Sequence, residues 1–159
     1  MDQYFSYLII FFFHTVILGQ KLIYTKTYPS GKPKLISYHI KEGVDKVREE
    51  FFSNGCIKTE GIYQFGYKQG IWKTYFPNGS MKKRQSFKDG ILDGKTIEWY
   101  KNGNKKIEGV YSNGKKQGVF LSWKEDGSLI LKQIFVNGLI CNLIHYYNGA
   151  VINYKDHCE

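Results

Sequence analysis

Residues 60–70 read Glu60-Gly61-Ile62-Tyr63-Gln64-Phe65-Gly66-Tyr67-Lys68-Gln69-Gly70. Residues 108–118 return to the same pattern as Glu108-Gly109-Val110-Tyr111-Ser112-Asn113-Gly114-Lys115-Lys116-Gln117-Gly118. Between and beyond them, Gln85 to Gly94 and Gln133 to Asn142 keep the spacing with altered chemistry. Outward from these strings, Gly31, Gly55, Gly79, Gly103 and Gly127 are separated by 24 residues at every step. Gly66, Gly90, Gly114 and Gly138 form a second row of the same period, and Gly70, Gly94 and Gly118 a third. A fixed period of this length is the mark of a repeat architecture.

The residues between the glycines say what each repeat is. Asn54, Asn78, Asn102 and Asp126 stand directly before glycines of the first row. Aromatic residues keep the same clock: Phe51, Tyr75, Trp99, Trp123 and Tyr147 in one row, Tyr63, Phe87, Tyr111 and Phe135 in another. The intervening stretches are strand-length and rich in aromatic and β-branched residues, and Asn-Gly supplies the positive φ of a hairpin turn. Glycine recurs too often for a helix to run between interruptions. Each unit therefore reads as two antiparallel strands, with one turn on Asn-Gly and a longer Gly-x-x-x-Gly turn such as Gly66 to Gly70. The fold class predicted is all-β: an elongated single-layer antiparallel meander of stacked β-hairpins. Five units give about ten strands, roughly 45 Å at ~4.8 Å per strand. The repeat domain spans 20–150 and a tail spans 151–159.

The E-G-x-aromatic-x-x-G-x-x-x-G core in strict register resembles the MORN repeat, and especially its bacterial variant form, close to a YwqK-type antitoxin-like family. The likeness covers roughly residues 24 to 150. It departs in its period of 24, where the eukaryotic repeat has about 23, and in lacking a further glycine after the core. The resemblance implies an elongated sheet used for binding, usually of protein and in some relatives of phospholipid. It implies no catalytic residues and no cofactor.

Composition sets the outer limits. Hydrophobic residues are 42% of the chain, which argues against bulk disorder, and three cysteines in 159 residues do not make a disulfide scaffold. Twenty-three Lys and Arg against 14 Asp and Glu give a net charge of +9, which favours anionic surfaces without naming one. Tyr4 to Leu18 is apolar and uncharged, and Gly19-Gln20-Lys21 ends it. Residues 1–19 read as a signal peptide cleaved before Gln20, which predicts export to a periplasmic, secreted or envelope location. A membrane anchor over 4–19 and a buried N-terminal strand are the alternatives.

The search for chemistry returns little. The four histidines, His14, His39, His145 and His157, scatter over the chain, and no catalytic triad, metal-ligand string or carboxylate pair emerges. An enzyme, a metal and a nucleic-acid partner are not expected. Cys56 and Cys141 lie about seven strands apart in the meander, far beyond disulfide reach. A Cys141–Cys158 disulfide is open if the tail folds back. The candidate binding residues are the aromatic ladder Tyr75, Trp99 and Trp123, with Trp72 and Phe120 as exposed alternatives on the other face. That ladder either stacks on itself as core or forms a groove for sugars or peptide side chains. Lys58, Lys82 and Lys106 lie in register as a solvated row or an anionic-lipid contact. Protein binding leads this reading, with cell-wall glycan or anionic membrane as alternatives.

Overall fold

Strand-forming stretches punctuated by residues at positive φ fold here as hairpins laid side by side. The computed structural model describes residues 21–39, 46–147 and 150–155. Twelve strands follow in chain order: β1 (Lys21–Thr27), β2 (Pro33–His39), β3 (Lys46–Phe51), β4 (Ile57–Gln64), β5 (Tyr67–Tyr75), β6 (Met81–Lys88), β7 (Ile91–Trp99), β8 (Lys105–Ser112), β9 (Lys115–Trp123), β10 (Leu129–Val136), β11 (Leu139–Tyr147) and β12 (Ala150–Lys155). All twelve make one sheet in sequence order, and every neighbouring pair is antiparallel. Strands pack chiefly on their sequence neighbours, so the molecule is a single-layer meander. It holds two more strands than the ten read from the sequence. β12 pairs with β11 through Lys155, so the sheet continues into the segment that the sequence reading gave to a tail. The apolar stretch 4–18 and Cys158 lie outside the described residues.

The two turn classes reverse the expected assignment. The tight turns are Phe65-Gly66, Asp89-Gly90, Asn113-Gly114 and Asn137-Gly138, each the whole connection between two strands. Both residues of each have positive φ: 46 to 51° at the first and 78 to 89° at the glycine. This is the I′ geometry that matches the right-handed twist of a hairpin. The second glycine of each Gly-x-x-x-Gly string is not in a turn. Gly70, Gly94 and Gly118 lie inside β5, β7 and β9, at positive φ and next to a break in register with the preceding strand. They are bulge residues. The Asn-Gly pairs of the first glycine row instead sit in five-residue loops such as 52–56 and 100–104. There Gly55 N–H donates to the Phe52 carbonyl and Phe52 N–H to that of Cys56, and the same pair recurs at 76–80, 100–104 and 124–128.

Both rims are tied from repeat to repeat. On the tight-turn rim, Gly90, Gly114 and Gly138 donate their N–H groups to the carbonyls of Lys68, Leu92 and Lys116. Gln69 and Gln117 accept the N–H groups of Asp89 and Asn137 through Oε1, and Asp93 accepts that of Asn113. On the loop rim, Asn54 Nδ2 donates to the Pro77 carbonyl and Asn102 Nδ2 to that of Glu125. The Oδ1 atoms of the same asparagines accept the N–H groups of Cys56 and Asn104. Asn54 and Asn102 therefore each close their own loop and join it to the next, while Asn78 closes its loop through Ser80.

Candidate binding surface

Strand register places one row of residues straight across the sheet: Ser37, Arg48, Gly61, Trp72, Gln85, Thr96, Gly109, Phe120 and Gln133. Large and small side chains are matched along it. The Trp72 ring lies over Gly61 and the Phe120 ring over Gly109, so closely that a methyl group on either glycine would overlap the ring. Trp72 meets Tyr63 edge-on at 5.0 Å and Phe87 at 6.5 Å, and its indole N–H donates to the Ile62 carbonyl. Two repeats on, Phe120 meets Tyr111 at 5.4 Å and Phe135 at 5.1 Å in the same edge-to-face geometry. Lys68 lies over the Trp72 and Phe87 rings, and Lys116 over Phe120 and Phe135. With a lysine stem across each cluster, Trp72 is only 7% exposed and Phe120 3%.

This corrects the reading of Trp72 and Phe120 as exposed alternatives: they are core, and a ligand cannot reach them. The alternation of the strands says which residues share a face, but not which face the lysines and neighbouring rings cover. Thr96, in the same row, is buried too, and its hydroxyl has no hydrogen-bond partner among the described residues.

The opposite face is charged and partly apolar. Glu60 accepts from Lys73 Nζ at 2.8 Å and from the Tyr75 hydroxyl at 2.7 Å. Burial raises its carboxyl pKa, but these two hydrogen bonds outweigh that and leave it below the usual range. Directly across the β3–β4 pair, Glu49 is pushed up, first by burial and then by the charge of Glu60. Tyr75 is raised to about 12, by burial and then by its bond to Glu60. Further along, Glu108 takes ion pairs from Lys105 and Lys95, whose hydrogen bonds lower its pKa. Tyr75, Trp99 and Trp123 are half-buried, and Lys105 lies over the Trp123 ring at 5.8 Å.

Toward the tight turns, this face exposes large apolar side chains through four repeats. Tyr67, Ile71, Ile91, Val110, Val119 and Leu139 are between 44% and 70% exposed. Strand alternation and register put them on one side of the sheet, with Lys95 and Lys115 between them. The row Tyr67, Ile91 and Leu139 escaped the sequence reading, although its members share the 24-residue register with Lys115.

Lys58, Lys82 and Lys106 are exposed at the loop rim. Each is the extra residue where register slips at the start of β4, β6 and β8. Lys82 lies over Phe76 and Lys106 over Tyr100, both about 5.5 Å from the ring centroid, so the row is stacked on the loop aromatics. The twelve glycines assigned to turns, Gly31 through Gly138, all have φ between 67 and 102°. Cys56 is a free thiol, whereas Cys141 is disulfide-bonded and lies within β11. No group of three or more metal-ligating side chains occurs among the described residues, and no helix there is long and apolar enough to cross a membrane.

A family model described as the MORN repeat variant matches residues 68–89 and again 92–113, two adjacent stretches one 24-residue period apart. No curated protein matches the chain. The repeat match and the open β-meander fit a repeat scaffold.

Proposed function

We propose that this chain is a non-catalytic repeat scaffold that binds another protein along the apolar strip of its charged face, and that it acts after export. One observation carries the reading. Large apolar side chains stand exposed in a strip along the tight-turn rim from β5 to β11, while the aromatic rows of the other face are spent on the protein's own core. Exposed apolar strips of this extent, edged with charge, mark contact surfaces. The MORN repeat variant match supports the scaffold reading, since such repeats bind proteins or membrane lipids. The apolar stretch 4–18 ending at Gly19 supports export.

Capture from the envelope fraction tests this. The wild-type chain is expected to recover one stoichiometric protein that the Ile91→Glu/Val119→Glu variant no longer holds. Recovery of the same protein by both, or of none by either, overturns the proposal. A second reading rests on the half-exposed Trp99 and Trp123, which present flat ring surface in one register. Glycan or cell-wall pull-down that fails in Trp99→Ala and Trp123→Ala would favour it. Mass spectrometry of the mature N-terminus checks for cleavage before Gln20.

A further inference from the structure

The first repeats contain a cleft that the repeat pattern does not require. About 210 Å³ in volume, it opens at the loop end of β1 to β4 among Lys26, Tyr28, Lys34, Arg48, Glu50 and Lys58. Among the described lining residues, four cations stand with one carboxylate. Glu50 accepts from Arg48 Nη2 at 2.8 Å, which fixes the guanidinium, and the Tyr28 hydroxyl donates to the Phe51 carbonyl at 2.9 Å. Arg48 Nε is shut off from solvent with no acceptor among the described residues, so the guanidinium's hydrogen bonding is incomplete as it stands.

Comparison with the neighbouring repeats separates framework from site. Lys34 and Lys58 belong to the lysine row that recurs at Lys82 and Lys106. Lys26 and Arg48 do not recur: 24 residues on, their places are taken by Glu50 and Trp72. Stacking needs an aromatic or small side chain at the register of Arg48, as Trp72, Thr96 and Phe120 show. The first unit instead has a cation there, and register brings it beside three lysines in one concavity. An open cleft of this volume has room for an oxyanion with a small organic group attached. A guanidinium fork flanked by ammonium groups suits tetrahedral phosphoryl oxygens.

We propose that the cleft of Lys26, Lys34, Arg48 and Lys58 is a binding site for a phosphomonoester, either free or carried on a lipid headgroup. This goes beyond the scaffold reading and does not depend on it. Calorimetric titration of the full chain with glycerol 3-phosphate and with inorganic phosphate tests the site. Flotation on phosphatidylcholine vesicles containing phosphatidic acid tests the lipid source. Saturable binding in either arm is expected, weakened about tenfold by Arg48→Gln and by Lys34→Gln/Lys58→Gln. The second variant changes only exposed lysines and so keeps the proposal testable if Arg48→Gln fails to fold. Lys82→Gln/Lys106→Gln removes the same charge from the same row away from the cleft and should leave binding unchanged. Binding of glycerol 3-phosphate supports a free ligand, and binding of vesicles alone supports a lipid-borne one. The proposal is overturned if neither arm saturates, or if Lys82→Gln/Lys106→Gln weakens binding as much as the cleft variants do, the mark of diffuse charge attraction.

Discussion

Arg48 and Trp72 flank the same glycine, Gly61, one on β3 and the other on β5, and they occupy the same register one period apart. Trp72 closes its side of the row: its ring covers Gly61 and meets Tyr63 and Phe87 edge-on. Arg48 leaves its side open. Its guanidinium carbon stands 5.8 Å from the Tyr63 ring centroid and its donors turn to Glu50. The two residues hold one register position a period apart, and the side chain there separates a position that adds to the core from one that lines the cleft. A repeat fold can in this way specialise one unit through the side chain that stands at a shared register position.

The largest expected effect would break this comparison outright. Phe120→Ala or Trp72→Ala removes a buried ring and should cost about 3–5 kcal/mol in urea unfolding, whereas Arg48→Ala should cost under ~1 kcal/mol. Equal losses would mean that the first unit depends on Arg48 for packing. A middle-sized effect sharpens it. Gly61→Ala puts a methyl group into the Trp72 ring and should destabilise by about 2 kcal/mol. In a Trp72→Thr background, which copies Thr96, the same change should cost markedly less, with a coupling of ~1 kcal/mol or more in the double-mutant cycle. Additive costs would refute the ring–glycine account.

The smallest effects lie on the charged face beneath the same unit, where Glu49 and Glu60 oppose each other. Glu60 has its pKa lowered, so its stabilisation is present above the unfolded value and is lost as pH falls through the lower folded one. Glu49 has its pKa raised, so its ionisation works against the fold as pH rises through that value. Glu60→Gln should therefore destabilise at pH 7 and Glu49→Gln stabilise, each by a few tenths to ~1 kcal/mol, and both differences should shrink as pH drops below about 4. Chemical denaturation at the two pH values reads both signs.

Much of the fold is legible in the sequence because glycine rows and aromatic rows repeat on one period. Which turn is tight is less legible. Asn-Gly pairs occur in both classes, in the tight turns at Asn113-Gly114 and Asn137-Gly138 and in the longer loops at Asn54-Gly55, Asn78-Gly79 and Asn102-Gly103. The dipeptide alone therefore does not tell them apart, and Phe65-Gly66 is a tight turn with no strong signal. Burial at Trp72 and Phe120 is not legible in the sequence because it depends on Gly61 and Gly109 one strand away, and on Lys68 and Lys116 across the rings. The cleft went unseen because Lys26 and Arg48 are brought together only by strand register. The signal that points to them is a cation standing where the next repeats of the register have an aromatic ring or a small side chain.

The row that matches large to small has a longer beat than the glycines do. Gly61 with Trp72 is followed by Gln85 with Thr96, and only then by Gly109 with Phe120. The module that can be duplicated without disturbing its neighbours is therefore the four-strand pair of repeats. Lengthening by whole modules would extend the sheet in steps of roughly 19 Å, at ~4.8 Å per strand. A single added repeat would set two like partners side by side. Such a chain measures distance in fixed increments, and its span is a property that selection can count in copies.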